Sequence, residues 1–282
     1  MTTSQTAEAW GRGRLLAILA GAIGAGLVLL AGLGLFIWEA LADDPTDTLA
    51  RADSSNTVAE QEPVELVLDE STLAEAGPAR REQIADADMP GVEDRRAFRE
   101  GPVATTIVEP LEVPPAASTG PVGVPTGYPR TPQGAVAQLA AIDVAVIQGM
   151  SVPATHEIYR SWSTGEGEPA AWVMTRNVTD FLTAANQSGQ HKESGLVVTA
   201  TPAAGQVKGT DGDDWVVACV LLELNARLVE EARVAYGHCE AMTWAGERWL
   251  IDTTHGVAPA PSTWPGTDLA ARAGWRPWAS DH

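Results

Sequence analysis

The chain has 282 residues, with 18 Lys or Arg against 37 Asp or Glu and a formal net charge of −19. This charge disfavours direct binding to nucleic acid or to anionic lipid, because the phosphates would repel the bulk of the chain. The length is sufficient for one or two ordinary domains.

An uncharged stretch from Leu15 to Trp38 predicts a transmembrane helix. As a helix it would extend about 36 Å, enough to cross a hydrocarbon core of about 30 Å. The apolar part of a secretory signal is shorter, about 7–15 residues, so we expect a retained anchor. A buried hairpin or core helix in a soluble protein is the alternative.

The residues that flank this stretch predict its orientation. Arg12 and Arg14 precede it, whereas Asp43 and Asp44 follow it. By the positive-inside bias, residues 1–14 form a cytoplasmic tail and everything after residue 42 is exported. We therefore expect a single-pass protein of the cell membrane with an extracytoplasmic C-terminal domain.

Small residues recur within the predicted span. Ala17, Gly21 and Ala25 are spaced four apart, which would let two helices approach closely. This spacing favours a homo-oligomer or docking on another membrane helix. An Ala- and Gly-rich composition explains the same spacing equally well, so both interpretations stay open.

Residues 39–125 are rich in acidic residues and proline. From Asp43 to Glu112 there are 18 Asp or Glu against 6 Arg. Low hydrophobicity and high charge leave too little apolar surface to offset the entropy of ordering, so we predict a disordered acidic spacer. Local order is expected in two pieces, a strand at 64–68 and a helical turn at 93–100.

The globular part is predicted to occupy residues 126–282. Helical patterns come first, at 134–150, 154–162 and 170–186, and the first is preceded by a helix start with Thr131 as N-cap and Pro132 at the first position. Strand patterns follow, at 196–201, where Pro202 is predicted to end the strand, and at 215–224, 229–244 and 248–252. Helices followed by a contiguous antiparallel run predict an α+β fold. About three helices would pack on a curved sheet, as a cone or half-barrel.

Cys219 and Cys239 fall on the second and third predicted strands. A hairpin turning near residues 227–229 places them opposite one another or one step off register, and opposed Cβ atoms lie about 4.5–5.5 Å apart. In an exported domain we predict a structural disulfide between them. A nucleophilic thiol beside His238 is the alternative.

Other polar residues form no recognised catalytic, cofactor or metal pattern. Asp143 interrupts an apolar helical stripe and is predicted either to lie at its edge or to accept a hydrogen bond from a neighbouring backbone. The acidic turn at 211–214 lacks the calcium-loop glutamate, because position 222 is Leu222. Asp252 and His255 are close in sequence without an accompanying nucleophile motif. We therefore predict no enzyme activity, no cofactor and no metal.

The chain resembles the TcpC-like and VirB-type bitopic membrane components of type IV secretion and conjugative transfer channels, as found in actinobacterial integrative elements. The resemblance rests on the single span and on the stretches PTGYPRTPQGAVAQLAAIDVAVIQGMSVP, KGTDGDDWVVACVLLEL and APAPSTWPGTDLAARAG. It implies a nuclear-transport-factor-like cone that acts as a scaffold among other membrane proteins of a transfer complex. No catalytic residues are carried over.

Two other functions stay open. A tethered cone that binds a small apolar ligand or lipid, as in Mce-associated membrane proteins, would have an open mouth lined by apolar side chains. An exported enzyme on the same cone would need a convergent cluster of His, Asp or Arg side chains.

Overall fold

The structure, a computed structural model, describes residues 70–165 and 167–279, which belong to one compact unit. The predicted tail at 1–14, the predicted span at 15–38 and the predicted strand at 64–68 lie outside these residues. Within the described ranges, no helix combines the length and the apolar character needed to cross a membrane.

In the described ranges the α-helices are α1 (Glu70–Asp86), α2 (Pro132–Gly149), α3 (Val152–Trp162), α4 (Val173–Ala184) and α5 (Asp268–Arg272). The strands are β1 (Leu111–Glu112), β2 (Ser118–Thr119), β3 (Pro125–Thr126), β4 (Val197–Thr210), β5 (Trp215–Arg227), β6 (Glu231–Ala245), β7 (Arg248–Ile251) and β8 (Arg276–Ala279). Short 3-10 turns lie at Pro121–Gly123 and Pro169–Ala171.

Side-chain caps define where α2 begins. The hydroxyl of Thr131 accepts a hydrogen bond from the N–H of Gly134 at 3.1 Å, and Pro132 occupies the first turn, where its missing N–H is not needed. Met150 adopts a left-handed conformation with φ 41° and ends the helix. The predicted start of this helix is confirmed.

The main sheet is a curled antiparallel half-barrel with the strand order β1-β8-β4-β5-β6-β7, in which only β1 pairs in parallel. The predicted α+β class and curved sheet are confirmed. The prediction that Pro202 ends its strand is wrong, because β4 continues to Thr210. The register of β4 on β5 shifts between Pro202 and Ala204, and such an irregularity accommodates a residue without an N–H.

The sheet is buried on both faces. Along β5, Val216, Ala218 and Val220 belong to the core cluster under the helices, whereas the intervening Val217 and Cys219 belong to a second cluster. Successive side chains of a strand point to opposite faces, so the two clusters lie on opposite sides of the sheet. Burial on both sides explains why this strand is a continuous apolar run.

The predicted disordered spacer is wrong for the described part of residues 39–125. This part contains α1 and β1, and several of its side chains are buried in the two clusters: Ala85, Met89, Leu111, Val113 and Val124. The acidic composition of the segment as a whole gives no indication of these scattered apolar residues. They are buried against a sheet whose strands come much later in the chain. The segment therefore covers the sheet and is part of the fold.

Replacement of Leu111 tests this cover. Its side chain is 1% exposed, so Leu111→Ala should lower the free energy of unfolding by about 2–5 kcal/mol. Ile107, four residues earlier, is 98% exposed, and Ile107→Ala should change the same quantity by less than about 0.5 kcal/mol. Denaturant unfolding of the full chain in detergent measures both. Equal, small effects would contradict the packing of this segment.

Candidate functional site

A cavity of about 570 Å³ opens at the edge of the sheet, at the point where β7 ends. In the described part of the chain, β7 pairs with residues 242–245 of β6, which leaves residues 235–241 without a strand on that side. The walls of the cavity are the 3-10 turn and the start of α4 on one side and the loop 252–262 on the other. Its volume lies in the range of ligand-binding sites.

A buried pair of ionisable side chains lies behind this cavity. Asp143 of α2 is 0% exposed and His238 of β6 is 5% exposed. The imidazole Nδ1 donates to the carboxylate, at 2.9 Å from Oδ2 and 3.1 Å from Oδ1. Of the two predictions for Asp143, a position at the edge of the stripe and a buried acceptor, the second is correct. Its partner, however, is a side chain and not a backbone group.

The second nitrogen of His238 faces the cavity wall. Its Nε2 lies 3.2 Å from Oε1 of Glu240, an ion-pair contact, and makes no well-aligned hydrogen bond to the described residues. The same Oε1 accepts a hydrogen bond from the indole N–H of Trp172 at 2.8 Å. Glu240 is thus held at the mouth of the cavity by the residue that precedes α4.

The buried pair retains a proton at neutral pH. Burial alone lowers the pKa of His238, but the charge and hydrogen bond of Asp143, together with the neighbouring Tyr236 and Glu240, outweigh this and hold the pKa well above its usual 6.5. Burial raises the pKa of Asp143, and the neighbouring imidazole offsets part of that effect. The proton on His238 compensates the carboxylate, so the pair joins α2 to β6 without an uncompensated buried charge.

A second carboxylate anchors the loop on the other side of the cavity. Asp252 accepts hydrogen bonds from the indole of Trp215 at 2.8 Å, from His255 Nδ1 at 3.0 Å and from the N–H of Thr254 at 2.9 Å. Burial on its own raises the pKa of Asp252, but these hydrogen bonds outweigh it and lower the pKa. The proximity of Asp252 and His255 is therefore structural, because both side chains fix the path of the loop.

The two cysteines lie directly opposite one another in the β5–β6 ladder, with their Cα atoms 4.1 Å apart and their sulfur atoms at bonding distance. The bridge lies on the second face, where Met89 Sδ is 3.7 Å from Cys239 Sγ. His238 points to the other face of β6, because adjacent side chains of a strand alternate. The geometry does not place an imidazole against the sulfur, as the alternative of an activated thiol requires.

The acidic turn at 211–214 is occupied by arginine contacts. Arg81 Nε lies 2.6 Å from Asp211 Oδ2, and Arg130 forms an ion pair with Asp214. In the ranges that the structure describes, no three His, Cys, Asp or Glu side chains are grouped as metal ligands would be.

Sequence reasoning missed the pairing of Asp143 with His238. The sequence shows each residue separately, an acidic residue inside the apolar stripe of α2 and a histidine at an inward position of β6, but it does not show that the two are in contact. The two are 95 positions apart, and no local period relates a residue on a helix to one on a strand so distant in the chain.

The pH dependence of stability tests the buried pair. Because the folded pKa of His238 lies above the unfolded value of about 6.5, its contribution is fully present below pH 6.5 and is lost as the pH rises through the folded pKa. In Asp143→Asn, burial lowers that pKa, so this loss should vanish. Unfolding at pH 6 should also require about 3–5 kcal/mol less.

Chemical unfolding of the full chain at a series of pH values between about 6 and 10 measures this slope. Asp213→Asn is the matched control, since Asp213 is an exposed residue of the 211–214 turn and its variant should keep the wild-type slope. An unchanged slope in Asp143→Asn would show that the pair does not share its proton as described.

The cysteine bridge has its own test. The sequence separation is 20, for which the chain-entropy description gives about 3 kcal/mol of stabilisation. The double variant Cys219→Ala, Cys239→Ala should lose about that free energy of unfolding. Thiol labelling of the denatured, unreduced protein should find no free thiol, and two labels per chain would contradict the disulfide.

Comparison of the chain with protein-family models, with curated proteins and with solved structures finds no match. The functional conclusion therefore depends on the residues, the fold and the cavity described above.

Proposed function

We propose that this chain is a membrane-anchored scaffold of a conjugative DNA-transfer channel of the type IV secretion kind. Residues 15–38 anchor it in the cell membrane, and the exported domain acts through contacts with other membrane proteins of the complex. The observation that carries the proposal is that the space between helices and sheet, where a cone holds a small ligand, is filled by protein.

The filling comes from α2. Its Val136, Leu139 and Ile142 are each 0% exposed and belong to one cluster with Val220 and Leu222 of β5. Close packing of this kind weighs against room for an apolar guest at this position. This observation supports a function at the surface and weighs against the alternative of a tethered domain that binds a lipid or a small apolar ligand.

The cavity at the sheet edge supports the same choice. Its walls combine ionisable groups, among them Glu168, Arg176 and Glu240, with apolar side chains such as Trp172 and Val257, and the ionisable groups weigh against a purely apolar ligand. The imidazole of His238 lies between two carboxylates and donates to Asp143, which supports a role in joining α2 to β6. These features favour a binding domain over an exported enzyme.

A transfer assay tests the proposal. Deletion of the chain should reduce the transfer frequency of the genetic element that encodes it by at least about 100-fold, a defect in assembly and not in chemistry. The full chain should restore transfer, and a variant that ends after residue 42 should not. The variant Asp213→Asn serves as a control that restores transfer. An undiminished frequency in the deletion strain would contradict the scaffold role.

A further inference from the structure

Residues 235–241 of β6 have no strand beside them on the edge side, and at Cys239 the main chain presents its hydrogen-bonding groups to the cavity described above. We propose that this edge binds an extended segment of a partner protein with basic residues at alternate positions. The segment would pair with the main chain of Cys239 and place its basic side chains beside Glu240.

The distance between the paired cysteines shows which way the main chain of Cys239 points. Opposed residues of an antiparallel ladder that exchange hydrogen bonds have Cα atoms about 5.5 Å apart, whereas pairs that do not exchange them are about 4.5 Å apart. Cys219 and Cys239 are separated by 4.1 Å and so belong to the second kind. The N–H and C=O of Cys239 therefore point away from β5, toward the open edge.

Neighbouring residues on the same side of β6 confirm this direction. The N–H of Ala235 donates to Phe98 O at 2.8 Å, and the N–H of Gly237 donates to Ser262 Oγ at 3.0 Å. Further along, the C=O of Ala241 accepts from the N–H of Asp252 at 2.8 Å. Because these residues alternate with Cys239 in a ladder without register shifts, all of them face the same edge.

Cys239 is the position that its surroundings leave open. Within the described ranges, no protein group donates to its C=O or accepts from its N–H on the edge side. The residue is 7% exposed and lines the cavity. A buried main-chain donor and acceptor require partners, and the cavity that Cys239 lines has room for them.

The N–H and C=O of Cys239 point in the same direction. They can therefore pair with the C=O and N–H of one residue in an extended chain. This is the geometry by which a peptide adds to a sheet edge. Directly opposed side chains lie on the same face, so the residues flanking the paired one point to the face that carries His238 and Glu240. Recognition therefore falls on alternate side chains of the bound segment.

The charge of the cavity favours basic side chains at these flanking positions. Its wall carries the carboxylates of Glu168, Glu240 and Asp252. Arg176 lies on the same wall, while the charge of His238 is offset by Asp143. Opposite charge in the partner is attracted both by this site and by a chain of net charge −19.

This inference rests on the proposed scaffold role and adds to it the chemistry of the segment that the domain would bind. Its test is separate. Binding is measured on the purified full chain with synthetic peptides, so a failure there leaves the transfer assay untouched, and an undiminished transfer frequency leaves the binding result standing.

The chain has two cysteines, so labelling with ¹⁵N-cysteine produces two backbone amide signals in the NMR spectrum of the full chain in detergent micelles. The probe is acetyl-Lys-Val-Lys-amide, in which the valine would pair with Cys239 and the two lysines would occupy the flanking positions. It should shift the signal of Cys239, and the signal of Cys219 in the interior of the sheet should move little and serve as the internal control. Absence of any Cys239 shift up to about 10 mM peptide, the limit of a weak complex, would overturn the proposal.

Two changes in the peptide separate main-chain pairing from charge. Methylation of the valine nitrogen removes one hydrogen-bond donor and should weaken binding about tenfold. Replacement of both lysines by glutamates should weaken it by at least as much. Equal affinity of the methylated peptide would overturn the strand pairing, and equal affinity of the glutamate peptide would overturn the preference for basic residues.

A pair of protein variants locates the bound peptide. Glu240→Gln preserves the size of the side chain and an oxygen for the Trp172 indole, and should reduce affinity for the lysine peptide about tenfold. Glu247→Gln makes the same change in the exposed turn between β6 and β7 and should leave the affinity unchanged. Equal losses in both variants would show attraction to the acidic chain as a whole and would overturn the assignment to this cavity.

Discussion

The burial of β5 on both faces is the constraint on which the rest of this structure depends. Every residue from Trp215 to Leu222 is buried, and no single layer of helices covers both sides of a sheet. Helices α2, α3 and α4 cover one face. The other face is covered by the segment that follows α1 and by the chain after β7, including Trp264 and Trp275.

Burial on both sides also determines where polar groups are found. On the helical face Asp143 is buried without contact with water, and its protonated partner His238 removes the penalty of an isolated charge. Separation of the two side chains would leave a buried charge without a partner, so the pair stabilises the contact between α2 and β6. Glu168, Arg176 and Glu240 line the cavity at the edge of the sheet, where the short β7 leaves the main chain of Cys239 without a neighbouring strand.

The proposed scaffold role fits a half-barrel with a packed interior and a strand edge that is open at Cys239. A packed interior holds the main chain at this position in place before a partner binds, which lowers the entropic cost of binding. The disulfide position strengthens this arrangement, because Cys219 and Cys239 join β6 to the central strand beside the uncovered edge. A scaffold that must present one strand edge to other proteins benefits from a sheet that does not deform.

The sequence by itself determined the features that have a local cause. Thr131 and Pro132 mark the start of α2, and the change of period from 3.6 to 2 separates helices from strands. The hairpin turn places Cys219 opposite Cys239 or one step off register, and the structure has them directly opposite. Each depends on residues a few positions apart or on one turn. The α+β class and the curved sheet follow from the order of these patterns.

Only the tertiary structure decided what meets across the chain. Leu111 of the acidic segment lies opposite Trp278 of β8, His238 contacts Asp143, and the main chain of Cys239 is left open because β7 is short. Composition is an average over a window and periodicity compares near neighbours, so neither predicts contacts between residues that are far apart in the chain. The free energy of burying a side chain depends on the surface opposite it, and that surface exists only once the sheet has formed.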